Sequence, residues 1–337
     1  MTIYLTTFSL IIVELVLFIL SLSALGFYCY AIYAGLVSFS SPHPINQDFH
    51  PPVTILKPIC GLDGDAYENL ASFCQQDYPN YQIIFAVQNK EDPGREVVDK
   101  ITDNFPDLDI QVVVAERIIG TNLKVSNLAN AVTFAKHEIM LIADSDIRVG
   151  RDYLRRVIQP LQDTSIGVVT CPYRSLAQGW VAILEALGTA TEFQAGVLVS
   201  QHLEGIKFAL GSTIVIRKKV LEAIGGFPVI ADYLADDFQL GYLPAQLGYK
   251  VILSDYVVEH VLANCTFADS IKRQIRWGAW EKILPSLGLF RVNFYLWYCY
   301  EFVVSNLNWL VNFRLGCIRY YLDDEVSNGL GCWCNLS

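Results

Sequence analysis

Three kinds of hydropathy pattern follow one another along the chain. Residues 8–39 are apolar almost without interruption, with Glu14 the one charge. That run exceeds the roughly 20 residues a helix needs to cross a bilayer. It is too long for a signal-peptide core and has no basic start, so it predicts a retained anchor over residues 1–40. Residues 41–52 are polar and proline-containing and read as a linker. From residue 53 onward, short β-prone runs alternate with helical stretches. Strands are predicted at 53–58, 81–87, 110–115, 139–143, 166–172, 209–217, 251–253 and 257–260. Helices are predicted at 66–75, 94–105, 126–135, 220–224 and 235–247. Strands alternating with helices indicate βαβ units, hence an α/β layer with a mostly parallel sheet. Residues 180–199 are largely apolar, interrupted by Glu185, Glu192 and Gln194. They fit either a cover over the sheet or an element in the membrane interface, the latter being favoured. Residues 286–322 are aromatic and apolar and predict a membrane-associated region, with a further span near 296–313. Residues 323–337 read as a tail.

The run Ile139-Met140-Leu141-Ile142-Ala143 has the character of a strand buried on both faces, and it ends abruptly in Asp144-Ser145-Asp146. Carboxylates just beyond the carboxyl end of such a strand stand where open α/β sheets bind ligands. Their alternate spacing lets both reach one hard cation and the phosphates it carries. The bland alternative is a solvated strand end. Asp236-Asp237 opens a predicted helix, where acidic residues also serve as simple caps. Residues 267–282 carry Lys272, Arg273, Arg276 and Lys282 with Trp277 and Trp280 interleaved. That pattern fits a phosphate clamp, because Arg offers fixed multidentate geometry, or a basic helix on lipid headgroups.

Composition narrows the class. Of 337 residues, 53% are hydrophobic and 17% charged, which suits a catalytic domain with membrane segments attached. The net charge of −10 argues against a nucleic-acid partner. Nine cysteines without a metal or disulfide framework suit a reducing compartment. No Gly-rich dinucleotide or Walker-type loop is present.

The order of the acidic and basic signals carries more than any one of them. The stretches VTILKPICGLDGDAYENLASFCQQDYPNYQIIFAVQNKEDP, NLKVSNLANA, DSDIRV, ADDF and RQIRW, spread over 53–285, resemble the family-2-like glycosyltransferases of GT-A fold. Among these the chain looks most like the ceramide glucosyltransferase family (glycosyltransferase family 21) and its hopanoid-glycosylating bacterial relatives. Position 273 is Arg, as in the ceramide-type pattern, where a polysaccharide synthase would carry Gln.

The resemblance implies a GT-A catalytic domain at 53–285 and an inverting transfer of a hexose from a UDP-sugar to a membrane lipid hydroxyl, ceramide-like or hopanoid. Asp92 would lie by the uridine end. Lys124 would be a second cation near the nucleotide. Asp144 and Asp146 would hold Mg²⁺ or Mn²⁺ on the diphosphate. Asp237 would be the general base, with Asp236 able to substitute. Arg273, Arg276 and Trp277 would bind the diphosphate and close the acceptor site. UDP-sugars are made in the cytoplasm, so an integral membrane protein with its catalytic domain facing that side is expected. The alternatives are a processive polysaccharide synthase, which needs more membrane spans, and a non-catalytic protein that binds a nucleotide-sugar or lipid.

Overall fold

The computed structural model describes residues 2–40 and 43–278; the span expected near 296–313 and the tail lie outside them. The first apolar run is one continuous helix, α1 (Thr2–Phe39). The alternating region then gives β1 (Val53–Ile59), α2 (Ala66–Cys74), β2 (Tyr81–Val87), α3 (Gly94–Asn104), β3 (Asp109–Val114), α4 (Leu123–Ala131) and β4 (Ile139–Ile142). It continues with β5 (Ile147–Arg148), α5 (Tyr153–Val157), β6 (Ile166–Thr170), β7 (Tyr173–Ala177), α6 (Trp180–Gly188), α7 (Ala195–Glu204), β8 (Ile214–Arg217) and α8 (Lys218–Ala223). The last elements are α9 (Asp236–Gln246), β9 (Lys250–Leu253), β10 (Val258–Leu262) and α10 (Phe267–Gly278).

Seven strands form the main sheet in the order β3-β2-β1-β4-β8-β6-β9. β8 runs antiparallel to both its neighbours, and the other pairings are parallel. The central strands β1, β2 and β4 are buried along their whole length, as continuous apolar runs require when both faces are covered. One core lies on the face of Val53, Ile55 and Ile59 with Phe73 and Tyr153; the other lies under Leu56, Ile84 and Met140. A second, three-stranded sheet, β5-β10-β7, stands beyond the carboxyl end of β4.

Three expectations shift. α4 begins three residues early, because Asn122 caps it by accepting a hydrogen bond from Val125 N at 3.2 Å. The run at 209–217 is a strand only over its last four residues, and Gly211 lies in an irregular segment before it. Residues 43–52 carry no regular structure yet are docked. His43 N donates to Asp255 at 2.8 Å, Asn46 N to Gln159 at 3.0 Å, and Tyr78 OH to Pro51 O at 2.6 Å.

Residues 180–204 make an unbroken helical rod, α6 and α7 joined by a π-helical turn over Thr189–Gln194. Its first half packs on β7 and its second on α1. There Ala31 meets Ala195 and Val199, and Tyr30 OH lies 2.7 Å from His202 Nδ1. Both Phe18–Phe39 and Trp180–Glu204 are long and apolar enough to cross a membrane.

Candidate active site

The carboxyl ends of β1 and β4 meet the three-stranded sheet and the start of α9 in one acidic basin. β4 ends at Ile142, and after Ala143 the chain turns through Asp144-Ser145-Asp146 before entering β5. Asp144 N donates to Gly211 O at 3.3 Å, and Gly211 N donates to Asp237 Oδ2 at 3.0 Å. One glycine therefore ties the Asp144 turn to the helix start that carries Asp237. A Cβ on Gly211 would stand 2.6 Å from Asp144 Oδ2 and 3.4 Å from Asp237 Oδ2. The two carboxylates thus flank a space kept open by the missing side chain.

Cations are threaded among the acids. Lys124, in the first turn of α4, lies 2.6 Å from Asp144 Oδ1 and 3.3 Å from Asp236 Oδ2. These charges, with Asp237, overcome the effect of burial and hold the Lys124 ammonium well above its ordinary range. Asn122 Nδ2 donates to Asp236 Oδ1 at 3.2 Å. Asp146 Oδ2 is 3.0 Å from His260 Nε2 on β10. Burial works against both charges of that pair. Their mutual attraction wins, so Asp146 titrates below the usual carboxylate range and His260 above the usual imidazole range. Asp144 is pushed up, chiefly by burial and then by Asp146 against the opposing pull of Lys124. Asp237 is pushed up to about 7, first by burial and then by its neighbour Asp236. Such separation of carboxylates by environment is what acid–base chemistry near neutral pH requires.

Lys57 was not among the expected site residues. It lies on the buried strand β1, fully inaccessible to solvent, and its ammonium donates to the backbone carbonyl of Asp144. The ring of Phe73 lies 3.9 Å beneath it. Burial pulls the amine down to about 7, against the attraction of Asp144, Asp146 and Asp63. The signal was present: a lysine inside the run Val53-Thr54-Ile55-Leu56-Lys57 must be buried if that strand is. Asp63, from the loop after β1, accepts a hydrogen bond from Ser145 Oγ. Replacing Lys57 with Met keeps the packing on Phe73 but leaves the Asp144 carbonyl without its donor. Loss of a partner that orients a ligand-bearing segment costs about tenfold in metal affinity. If this turn holds the UDP and divalent cation that the family resemblance implies, titration of UDP with Mn²⁺ in Lys57→Met checks this.

Asp92, in the loop between β2 and α3, is buried, and its carboxylate accepts from Gly61 N at 3.0 Å and Gly94 N at 2.8 Å. It shapes the loop after β1. Arg273 does not face the basin with a free guanidinium. Its Nε and Nη2 donate to Glu185 at 3.0 and 2.7 Å. Arg276 and Trp277 lie on the last turn of α10. The structure thus brings Lys124, Asp144, Asp146, Asp236 and Asp237 together, adds Lys57, Asp63 and His260, and gives Arg273 an internal partner.

Among the described residues no three His, Cys, Asp or Glu side chains form a ready-made metal shell. The residues still fit a hard divalent cation. Asp144 and Asp146 supply oxygen donors, their side chains are 36% and 32% exposed, and a diphosphate brings the remaining oxygens.

The family model described as glycosyl transferase family 21 matches residues 16–295. Ceramide glucosyltransferase 3 of Caenorhabditis elegans is 26% identical over 257 residues, 74% of this chain and 56% of that protein. Ceramide glucosyltransferase 1 of the same organism is 27% identical over 229 residues, covering 67% and 49%. The chain therefore spans about half the length of these curated relatives. Among solved structures, a mannosyltransferase of Pyrobaculum calidifontis in complex with GDP-mannose and Mn²⁺ superposes with a TM-score of 0.55 at 22% identity. That alignment covers 72% of this chain and 66% of the other, and it shows a shared fold of GT-A type.

Proposed function

The chain belongs to glycosyl transferase family 21, and from that premise we propose that it transfers a hexose from a UDP-sugar to a hydroxyl group of a membrane lipid, with inversion at the anomeric carbon. The observation that carries this reading is the placement of Asp237, poised near 7, across the Gly211 gap from the Asp144 turn. The Asp237 carboxylate takes the proton of the acceptor hydroxyl as its oxygen bonds to the anomeric carbon. The sugar–phosphate bond breaks, and UDP leaves with its bonding electrons. One carboxylate suffices on the acceptor side, because the leaving diphosphate needs no proton. Asp236 keeps Lys124 in place and is the nearest substitute base.

Asp144 and Asp146 would hold Mg²⁺ or Mn²⁺, which when bound neutralises charge on the diphosphate. Lys124 would exchange its contact with Asp144 for a phosphate oxygen. The loop shaped by Asp92 would receive the nucleoside, and Arg276 with Trp277 would close over the diphosphate.

A lipid acceptor is supported by the outward faces of α6 and α10. Trp180, Ile183, Leu184 and Leu187 on α6 and Phe267, Ile271 and Ile275 on α10 are exposed, and the Trp180 and Phe267 rings stack at 6.4 Å. A joined apolar surface of this kind fits a bilayer interface. Glu185 is buried against α10 and α6 packs on β7, which supports a rod lying along the membrane rather than crossing it. The relatives' names support glucose as the sugar and ceramide as the acceptor; a hopanoid alcohol meets the same geometry. The catalytic side is proposed to face the cytoplasm, where UDP-sugars are made.

The deciding experiment supplies membranes containing this chain with labelled UDP-glucose or UDP-N-acetylglucosamine, with and without Mn²⁺. Labelled lipid that appears only with metal is expected. Bound UDP without transfer to any lipid from any donor would defeat the proposal. The double variant Leu184→Glu, Leu187→Glu is expected to lose lipid glycosylation several-fold and to float less with vesicles. Its hydrolysis of the UDP-sugar in detergent should be unchanged.

A further inference from the structure

Glu185 is the one charged residue of α6, and its side chain is wholly buried. A carboxylate in that position is costly unless it is paired and hydrogen-bonded. Here it is fully served: Arg273 grips it with two donors, and Ser270 Oγ adds a third at 3.0 Å. Arg273 Nη2 also lies 3.0 Å from Cys265 Sγ. All three donors come from α10, so this one carboxylate fastens α10 to α6. Two further devices hold the start of α10. Thr266 and Asp269 cap it reciprocally, at 3.2 Å in each direction, and Phe267 stacks on Trp180. A pair of apolar residues would join two helices at lower cost than a buried ion pair. The bidentate fork offers what apolar packing lacks, a fixed rotation and height of one helix against the other. Tyr173 begins β7, the strand α6 packs on, and its ring meets that of His260 at 5.3 Å beside Asp146.

We propose that Glu185 is a positioning residue for the donor site, and that Arg273 is its strut rather than a ligand of the diphosphate. On this account the first Arg of the run Arg273-Gln274-Ile275-Arg276-Trp277 sets where the last turn of α10 stands, and Arg276 does the phosphate binding. Turning Arg273 toward a phosphate would leave Glu185 buried and unpaired, which the fold resists. The inference rests on the transferase reading for the identity of the donor, but it concerns UDP binding and can be judged without turnover.

The test uses the full chain in nanodiscs and compares Glu185→Gln, Arg273→Met and the exchange Glu185→Arg with Arg273→Glu. Three quantities are read: UDP affinity in Mn²⁺, the rate of chymotryptic cleavage after Phe267, and the melting midpoint. A helix displaced by about 1 Å is expected to cost the single variants about tenfold or more in UDP affinity. Cleavage should quicken in both single variants, while the midpoint moves little in Glu185→Gln and falls in Arg273→Met, which leaves the Glu185 carboxylate buried without its ion partner. The exchange should recover most of the affinity and the protection. Two results would overturn the proposal. One is an exchange that restores protection while UDP affinity stays lost, which would put Arg273 on the diphosphate itself. The other is unchanged UDP affinity in Glu185→Gln. Should the wild-type chain bind UDP and glycosylate nothing, the transferase reading fails, while the role of Glu185 is still decided by affinity and cleavage.

Discussion

Asp237→Asn is expected to abolish lipid glycosylation, by about 10²–10⁴-fold in turnover as loss of a general base does, while UDP binding in Mn²⁺ persists. Asn retains an oxygen for the amide hydrogen of Gly211 or Phe238, which Asp237 accepts at 3.0 and 2.8 Å, so the start of α9 stays in place. The variant should also melt higher at neutral pH. Asp237 is pushed up to about 7 in the folded chain from an ordinary value of 3.8. Between those two values the folded state holds a proton that the unfolded state has released. Ionising Asp237 beside Asp236 therefore costs stability, increasingly as pH climbs from about 4 to about 7, and the full cost applies above 7. Asn removes that cost. For the same reason wild-type transfer should rise with pH and reach half its maximum near 7. A pH–rate profile checks the titration, and calorimetry at pH 5 and pH 8 checks the sign, since the gain in Asp237→Asn should be larger at pH 8.

Gly211→Ala is expected to be nearly as damaging by a different route. The residue is not in the left-handed backbone region, so alanine is conformationally allowed there. Its Cβ, however, would lie 2.6 Å from Asp144 Oδ2. Either that carboxylate or the Gly211 segment must move, and both are fixed, the first by Lys124 and the second by its bonds to Asp144 N and Asp237. Overpacking of this kind costs about 1–3 kcal/mol of stability, which leaves the protein folded. The larger effect falls on the site. The Asp144 oxygens turn away from the position proposed for the metal, and the gap toward Asp237 narrows. Mn²⁺-dependent UDP binding is expected to weaken by about 10²-fold, as misplacement of reacting groups by roughly 1 Å does. Isothermal titration against the wild-type chain measures it. Wild-type affinity in Gly211→Ala would refute the role assigned to the gap.

Much of the framework was legible because it is made of local pattern. Continuous apolar runs marked β1, β2 and β4, and the abrupt Asp144-Ser145-Asp146 ending marked where the sheet opens. What was hidden depends on partners distant in sequence. β5 is two residues long and β7 is half-exposed, so neither has an apolar run to betray it, and without them the neighbourhood of His260 could not be drawn. His260 meets Asp146 across 114 positions, and Arg273 meets Glu185 across 88. In sequence Glu185 reads as a blemish in an apolar helix and Arg273 as a free cation. Folding cancels both charges. Lys57 was the readable exception, because a charge inside a doubly covered strand has nowhere to go but the interior.

The docking of residues 43–52 and the packing of α7 on α1 have a consequence for which lipids can react. A helix joined to its domain by a loose tether would let the catalytic basin sample many heights above the bilayer. Here α1 is gripped at Ala31 and Tyr30, and the segment after it is pinned to Asp255, Gln159 and Tyr78. The anchor then works as a ruler. On the membrane placement and lipid acceptor proposed above, a stiff mount would hold Asp237 at one elevation over the headgroups, and a lipid would qualify by how far its hydroxyl protrudes from the leaflet as much as by the shape of its backbone.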